Sequence, residues 1–152
     1  MTGPNPTDRG KRGSKRHLVV DAVGVPLAVK HTAANVHDLM MFEEMVDPIA
    51  PIRRSRGRPR KRPQKLHADK ADDTKKCRKA LGRRGIKARI ARKGKESSEK
   101  LGRYRWVVER TLSWLNRHRR LKVRYERRAD IHQAFLALGC ALMCWRYVQR
   151  FC

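Results

Sequence analysis

Apolar and polar residues form short alternating blocks through the first third of the chain. The runs HLVVDA (17–22) and PLAVKHT (26–32) are rich in β-branched and other apolar residues, and a short turn with one glycine separates them. This spacing is typical of a β-hairpin. In the next block, DLMMFEEMVDPIA, apolar residues stand at positions 39, 42, 45 and 46. We therefore expect a short amphipathic helix that Pro48 ends.

The middle of the chain predicts a strand, a helix and a second strand. KLHAD (65–69) and IKARIA (86–91) are compatible with strands. Between them, DDTKKCRKALGRRG carries helix signals, with Asp73 or Thr74 as the N-cap and Gly85 just past the end.

Two helices are predicted in the last third of the chain. In RYRWVVERTLSWLNRHRR the candidates for a buried helical face are Trp106, Val107, Leu112, Trp114 and Leu115. The final run, ADIHQAFLALGCALMCWRYVQRFC, consists almost entirely of helix formers and is apolar enough to pack on a sheet or a partner. The predicted fold class is α/β: a mixed sheet made of the hairpin and two further strands, flanked by helices and followed by a long C-terminal helix.

Two segments show neither the strand spacing nor the helix spacing of apolar residues. Residues 1–16 are rich in Gly, Pro and charge, which predicts a flexible basic arm before a folded domain at 17–152. The segment PIRRSRGRPRKRPQ (51–64) holds three prolines, one glycine and seven cations. It predicts a solvated basic loop that lies near phosphates, and a linker is an equally physical interpretation.

Charge narrows the possible functions. The chain has 152 residues, about one domain, with 39 Lys and Arg against 14 Asp and Glu, a formal net charge of +25. Residues 53–128 carry 31 of those cations. Such a charge opposes compaction unless a polyanion compensates it, so we expect nucleic acid as the partner. There is no signal-peptide pattern and no apolar run of the roughly 18–20 residues that cross a bilayer, so we expect a cytoplasmic, nucleoid-associated protein with no membrane partner.

Two acids, Asp69 and Glu109, stand isolated in basic surroundings, the first at the end of a predicted strand and the second within a predicted helix. Carboxylates that converge from such positions can hold a pair of Mg²⁺ ions roughly 4 Å apart, which activate a hydroxyl and stabilise the leaving oxygen of a phosphodiester. Arg105 and Asn116 share the helix face of Glu109 and could meet phosphate. The spacing alone also fits an ordinary salt bridge between Arg105 and Glu109. Neither the four cysteines nor the six histidines have zinc-ligand spacing.

Several motifs in order carry a resemblance over nearly all of the chain. They are GPNPTDRGKRGSKRHLVVDAVGVPLAV, TAANVHD, RGRPRKRP, LHADKADD, IARKGKESSEKLGRYRWVVERTLSWLNRHRRL and YERRADIHQAFLALGCALMCW. In this order they resemble the C-terminal half to two thirds of a DDE-class bacterial insertion-sequence transposase, of the insertion-sequence-five type.

The resemblance implies a truncated RNase H-like fold that cuts transposon ends and joins them to target DNA, with Mg²⁺ or Mn²⁺ as cofactor. Asp69 of LHADK matches the family's second catalytic aspartate, and Glu109 of RWVVERT matches its glutamate, so both are the expected catalytic and metal-binding residues. In the wider group's signature Arg105 also fits, whereas Gly102 and Asn116 replace a Tyr and a Lys. The residues expected to bind DNA are Arg105, Asn116, Arg117, Lys70, Arg58, Arg60, Lys61 and Arg62.

The family's first catalytic aspartate lies on a strand upstream of GPNPTDRG, and this chain starts too late to contain it. Asp21, at the end of HLVVDA, is a possible substitute, but the resemblance makes it a hairpin residue. Asp72 stands where the family has an aromatic residue, and we expect it to cap a helix or face solvent. The chain is therefore expected to be a partial transposase, inactive alone, that pairs with a complementing N-terminal transposase part or forms a homo-oligomer.

Two other functions fit the same residues. The first is a non-catalytic basic nucleic-acid-binding protein, in which Asp69 and Glu109 are structural. The second is an interaction module, whose apolar C-terminal helix pairs with another chain.

Overall fold

The computed structural model describes residues 2–53, 56–60, 62–92, 94 and 102–151. The fold is mixed α/β, as the sequence predicts. Its elements in chain order are β1 (Gly3–Pro4), β2 (Arg12–Val20), β3 (Pro26–Ala33), α1 (Asp38–Val46), β4 (Lys65–Ala68), a 3₁₀ turn (Lys70–Asp72), α2 (Lys75–Arg83), β5 (Lys87–Ile90), α3 (Gly102–Leu115), α4 (Arg119–Lys122) and α5 (Ala129–Phe151). The chain divides into unit 1, residues 1–37 and 107–152, and unit 2, residues 38–106.

The strands form two sheets, where the sequence predicts one mixed sheet. Unit 1 holds the antiparallel sheet β1-β2-β3, and unit 2 holds the parallel pair β4-β5. The connections between the strands account for the difference. A short turn joins β2 to β3 and lets them pair as antiparallel neighbours, whereas the helix α2 crosses over between β4 and β5, which pair in parallel. In the described residues each sheet is therefore complete within one unit.

The predicted hairpin is confirmed, but its first strand begins at Arg12 rather than at His17. Ser14 pairs with Ala33 and Lys15 with Thr32, so the polar residues before His17 gain ladder partners that β-propensity does not reveal. The flexible arm predicted for residues 1–16 thus includes β1 and the start of β2, which are paired with each other. The mobility of this segment stays a prediction.

The core of unit 1 lies between the hairpin and the helices α3, α4 and α5. Its buried side chains are Leu115, Leu121, Leu136, Cys140 and Met143, against which Leu18 and Val29 of the sheet pack. Gln133 of α5 joins the layers, because its amide accepts a hydrogen bond from the His31 backbone N–H and donates one to the Val29 carbonyl. The long C-terminal helix is confirmed as α5.

The buried face of α3 differs from the predicted one. Val107 and Leu115 are buried as predicted, but Trp106 is 48% exposed. Thr111, between them at i to i+4 spacing, is fully buried instead. Its hydroxyl donates a 2.9 Å hydrogen bond to the Gly24 carbonyl, so this buried polar group has a partner. A pattern of apolar residues cannot predict the burial of a threonine.

Unit 2 confirms the predicted strand-helix-strand order. Thr74, rather than Asp73, caps α2 by accepting a hydrogen bond from the Cys77 N–H, and Gly85 follows the helix with a positive φ of 67°. The core of the unit consists of Val46, Leu81, Ile86 and Ile90. No helix in the described parts of the chain is both long and apolar enough to cross a bilayer.

Candidate functional site

Asp69 lies in unit 2, directly after the carboxyl end of β4. One carboxylate oxygen, Oδ1, accepts a hydrogen bond of 2.7 Å from the Lys70 N–H, so Asp69 caps the 3₁₀ turn. The other, Oδ2, lies 3.3 Å from Nη1 of Arg105. The Asp69 side chain is half exposed, and it remains accessible to a ligand.

An aromatic contact of His67 fixes the end of β4, just before Asp69. The His67 ring stacks on Tyr104, with ring centroids 4.1 Å apart and planes inclined by 26°. Both ring nitrogens of His67 are buried and have no hydrogen-bond partner among the described residues, and burial lowers the pKa of this imidazole. His67 is therefore a neutral packing residue, and it holds the end of β4 against the start of α3.

Glu109 is exposed on α3, in the part of the helix that belongs to unit 1. The opposite side of the helix is fixed by Thr111 and by Arg110, whose guanidinium donates a 2.8 Å hydrogen bond to the Val23 carbonyl. Because α3 is continuous from Gly102 to Leu115, Arg105 and Glu109 share one helical face. Asp69 and Glu109 belong to different units, and their convergence in space stays a prediction.

Asn116 and Arg117 follow α3 and are both exposed. The Asn116 side-chain oxygen accepts a 2.7 Å hydrogen bond from Arg16 of β2, so this amide ties the end of α3 to the hairpin. Arg16 is half-buried, and burial lowers its pKa. Sequence reasoning missed Arg16, since nothing in the pattern of β2 marks it as the partner of a residue 100 positions later.

Within the described part of the basic loop, Ile52 and Arg60 form an antiparallel bridge. Arg58 is exposed at its tip, beside Gly57, and Arg62 donates a 3.1 Å hydrogen bond to the Arg84 carbonyl. Lys70, half-buried, stands at the start of the 3₁₀ turn. Lys61 lies outside the described residues. Whether any of these cations binds DNA stays a prediction.

Asp21 closes the hairpin turn. Its Oδ1 accepts hydrogen bonds from the backbone N–H groups of Val23 (2.9 Å) and Val25 (2.8 Å), which is the geometry of an Asx turn. This arrangement agrees with the expectation that Asp21 is a hairpin residue. Asp72 ends the 3₁₀ turn and is half-buried, and the neighbouring Asp73 forms a 2.7 Å ion pair with Arg78.

A divalent-cation site requires several oxygen donors that lie close together. Carboxylates are the ligands that Mg²⁺ and Mn²⁺ prefer. However, the described residues contain no group of three or more His, Cys, Asp or Glu that could hold a metal ion. The Arg105 guanidinium contacts the Asp69 carboxylate.

Comparison with known proteins settles the family. The sequence matches the family described as the transposase DDE domain over residues 2–144. It is also 53% identical, over 149 residues, to a protein of Burkholderia cepacia named as a transposase for insertion sequence element IS402. That match covers 98% of this chain and 71% of the relative. The chain belongs to the DDE-class insertion-sequence transposases.

Membership confirms the resemblance found in the sequence motifs. It connects this transposase chain to DNA transposition in general and to DNA as the class of partner. No solved structure gives a significant match, so the fold description rests on the chain itself.

Proposed function

We propose that this chain is part of the catalytic domain of a transposase that cleaves transposon DNA and joins it to a target in a reaction that depends on Mg²⁺ or Mn²⁺. In this proposal, residues 17–152 form a partial RNase H-like domain with a basic loop at 51–64. Asp69 and Glu109 are its catalytic, metal-binding carboxylates.

The position of Asp69 is the observation that carries the proposal. Its carboxylate stands just beyond the carboxyl end of a parallel strand, the edge where ligands bind in open α/β sheets. It also contacts Arg105, which precedes Glu109 by one helical turn on α3. An accessible acid beside an arginine suits a site where a phosphodiester and a cation are held together.

The chain's own residues have separable roles in this proposal. Asp69 and Glu109 supply carboxylate oxygens to the cation. Arg105, Arg117 and Lys70 hold the DNA phosphates, and Arg16 positions the Asn116 amide at the end of α3. The cations of the basic loop, Arg58, Arg60, Lys61 and Arg62, add affinity without reading sequence, since contacts to phosphate carry no base information.

We further propose that the chain is inactive alone. In this proposal Asp69 and Glu109 bind a cation in the chain alone, and the further carboxylate that cleavage requires comes from a complementing transposase part or from a second copy. Adding such a part should restore cleavage to a chain that only binds DNA.

A non-catalytic nucleic-acid-binding protein is the second candidate, and one observation favours it. Both oxygens of Asp69 already have partners, the Lys70 N–H and the Arg105 guanidinium, which is what a structural cap requires. In that function Asp69 and Glu109 only shape the fold.

A titration with Mn²⁺ distinguishes the two functions. The catalytic proposal predicts a Mn²⁺ site that Asp69→Ala and Glu109→Ala each abolish, while salt-dependent binding to a DNA duplex persists. If the wild-type chain binds DNA but shows no Mn²⁺ site beyond that of both variants, the catalytic proposal is wrong. Glu44→Ala, which removes an exposed acid of α1, is the matched control and should leave Mn²⁺ binding unchanged.

A further inference from the structure

Helix α5 carries a second apolar stripe in addition to its buried face. Its members recur with the spacing of a heptad and are Ile131, Ala134, Leu138, Ala141, Trp145 and Val148. All six are exposed, with Trp145 60% and Leu138 55% accessible. An apolar seam with a 3.5-residue average period is what a coiled-coil partner helix covers.

The composition of α5 supports an interface. From Ile131 to Trp145 the helix has no Lys, Arg, Asp or Glu, although the whole chain carries 39 Lys and Arg. Depletion of charge at the centre of a patch, together with an exposed tryptophan, is typical of protein interfaces rather than of surfaces that face solvent or DNA.

The seam is self-complementary in one orientation. In an antiparallel pair of helices, each large a position packs beside a d position of the partner. Two copies of α5 then place Trp145 against Ala134 and Leu138 against Ala141. Large side chains therefore meet small ones in both layers.

The surface beside Ala134 has room for the tryptophan. A groove of about 230 Å³ is lined by Ile131, Ala134, Phe135 and Leu138 of the same helix. In the antiparallel register, Trp145 of the second copy lies over this groove.

We propose that α5 is a dimerisation helix, which pairs antiparallel with α5 of a second copy of this chain through Ile131, Ala134, Leu138, Ala141, Trp145 and Val148. The stripe offers on the order of 400 Å² per copy, about half of the roughly 800 Å² that each partner contributes to a standard interface. The dimer is therefore weak and reversible. Because each copy has a net charge of +25, salt that screens the repulsion strengthens it.

Sedimentation of the full chain tests the proposal, in 0.5 M salt so that bound nucleic acid is removed. We expect a dimer whose fraction rises with protein concentration. Leu138→Glu should weaken dimerisation by at least about tenfold, as truncated interface anchors typically do. Met40→Glu, which places the same charge on an exposed apolar position of α1, should leave it unchanged. A chain that stays monomeric at all concentrations, or that dimerises equally well with Leu138→Glu, overturns the proposal.

A swap of the two facing residues, Ala134 and Trp145, tests the register of the helix pair. Ala134→Trp sets two tryptophans against each other and Trp145→Ala leaves the groove empty, so each single variant should dimerise more weakly. The double variant restores a large-with-small layer in an antiparallel pair and should recover most of the lost affinity. In a parallel pair residue 134 faces its own copy, so failure of the double variant to recover excludes the proposed orientation. Circular dichroism confirms that each variant is folded.

Discussion

The Asp69 carboxylate and the Arg105 guanidinium lie 3.3 Å apart, which brings together two residues separated by 36 positions in the sequence. Both side chains are at least half exposed, so the pair is open to solvent and to ligands. A cation at Asp69 and a phosphate at Arg105 would compete with this ion pair. In the proposed site, this contact would therefore weaken the binding of either ligand.

Replacing Arg105 by Gln should strengthen the binding of Mn²⁺ at Asp69 by a factor of about 1.4 to 5, which corresponds to the roughly 0.2–1 kcal/mol of an exposed ion pair. The same change should reduce the salt slope of DNA binding by about 0.9, because one phosphate contact is lost. Electron paramagnetic resonance measures the free Mn²⁺. Lys79→Gln removes an exposed charge from α2 and should alter neither the Mn²⁺ affinity nor the geometry at Asp69. Weaker Mn²⁺ binding in Arg105→Gln would mean that Arg105 does not compete with Mn²⁺ for Asp69.

Removing two cations from the basic loop should weaken DNA binding uniformly across sequences. For the double variant Arg58→Ala and Arg60→Ala we expect the plot of log affinity against log salt to lose about 1.8 from its slope. Filter binding to two unrelated duplexes measures it. The comparison variant carries Lys75→Ala and Lys76→Ala in the exposed first turn of α2, with the same loss of charge. Equal slopes for both double variants would mean that the loop has no special contact with phosphate.

The hairpin turn should tolerate no side chain at Gly24. Its φ is +92°, and an added Cβ would lie 3.0 Å from the Thr111 hydroxyl and 3.1 Å from the Arg110 guanidinium. Gly24→Ala should therefore lower the free energy of unfolding by about 2 kcal/mol or more, from backbone strain plus the clash. Gly57 has φ +88° with no atom of the described residues within 4 Å of an added Cβ, so Gly57→Ala should cost about 1 kcal/mol or less. Urea unfolding compares them, and equal losses would show that the contact with α3 is unimportant.

The sequence predicted those parts of the fold that depend on local pattern. The hairpin, the strand-helix-strand unit and α5 follow from apolar period and from signals such as Gly85. It could not predict what depends on distant partners: the burial of Thr111 under Gly24, the exposure of Trp106, or the pairing of Arg16 with Asn116. For Thr111 and Asn116 a polar group is satisfied by a residue that lies far away in the chain, which periodicity does not encode.

The same limit holds for the candidate site. The motif and its spacing indicated Asp69, Glu109 and Arg105, but not that Arg105 would bind Asp69, because the sequence offered Glu109 as the nearer partner at i to i+4. The stacking of His67 on Tyr104 was likewise hidden, since it joins β4 to the start of α3.

The stability of the chain should fall between pH 7 and pH 5 because of His31. Burial lowers the pKa of this imidazole to about 4, with the nearby charges of His132 and Arg124 acting in the same direction. Between its folded pKa and the value of about 6.5 in the unfolded chain, the unfolded state binds a proton that the folded state does not, so acidification favours unfolding. Urea midpoints across this range measure the effect. His31→Leu should flatten this part of the curve, and an unchanged slope in that variant would exclude His31 as the cause.

The most direct test of the proposed catalytic site is a double-mutant cycle for Mn²⁺ binding with Asp69→Asn and Glu109→Gln. If both carboxylates bind the same cation cluster, either variant alone removes most of the affinity and the double variant loses little more, so the two effects are strongly non-additive. Simple addition of the two effects, or a wild-type affinity equal to that of the double variant, would mean that the acids do not share a cation.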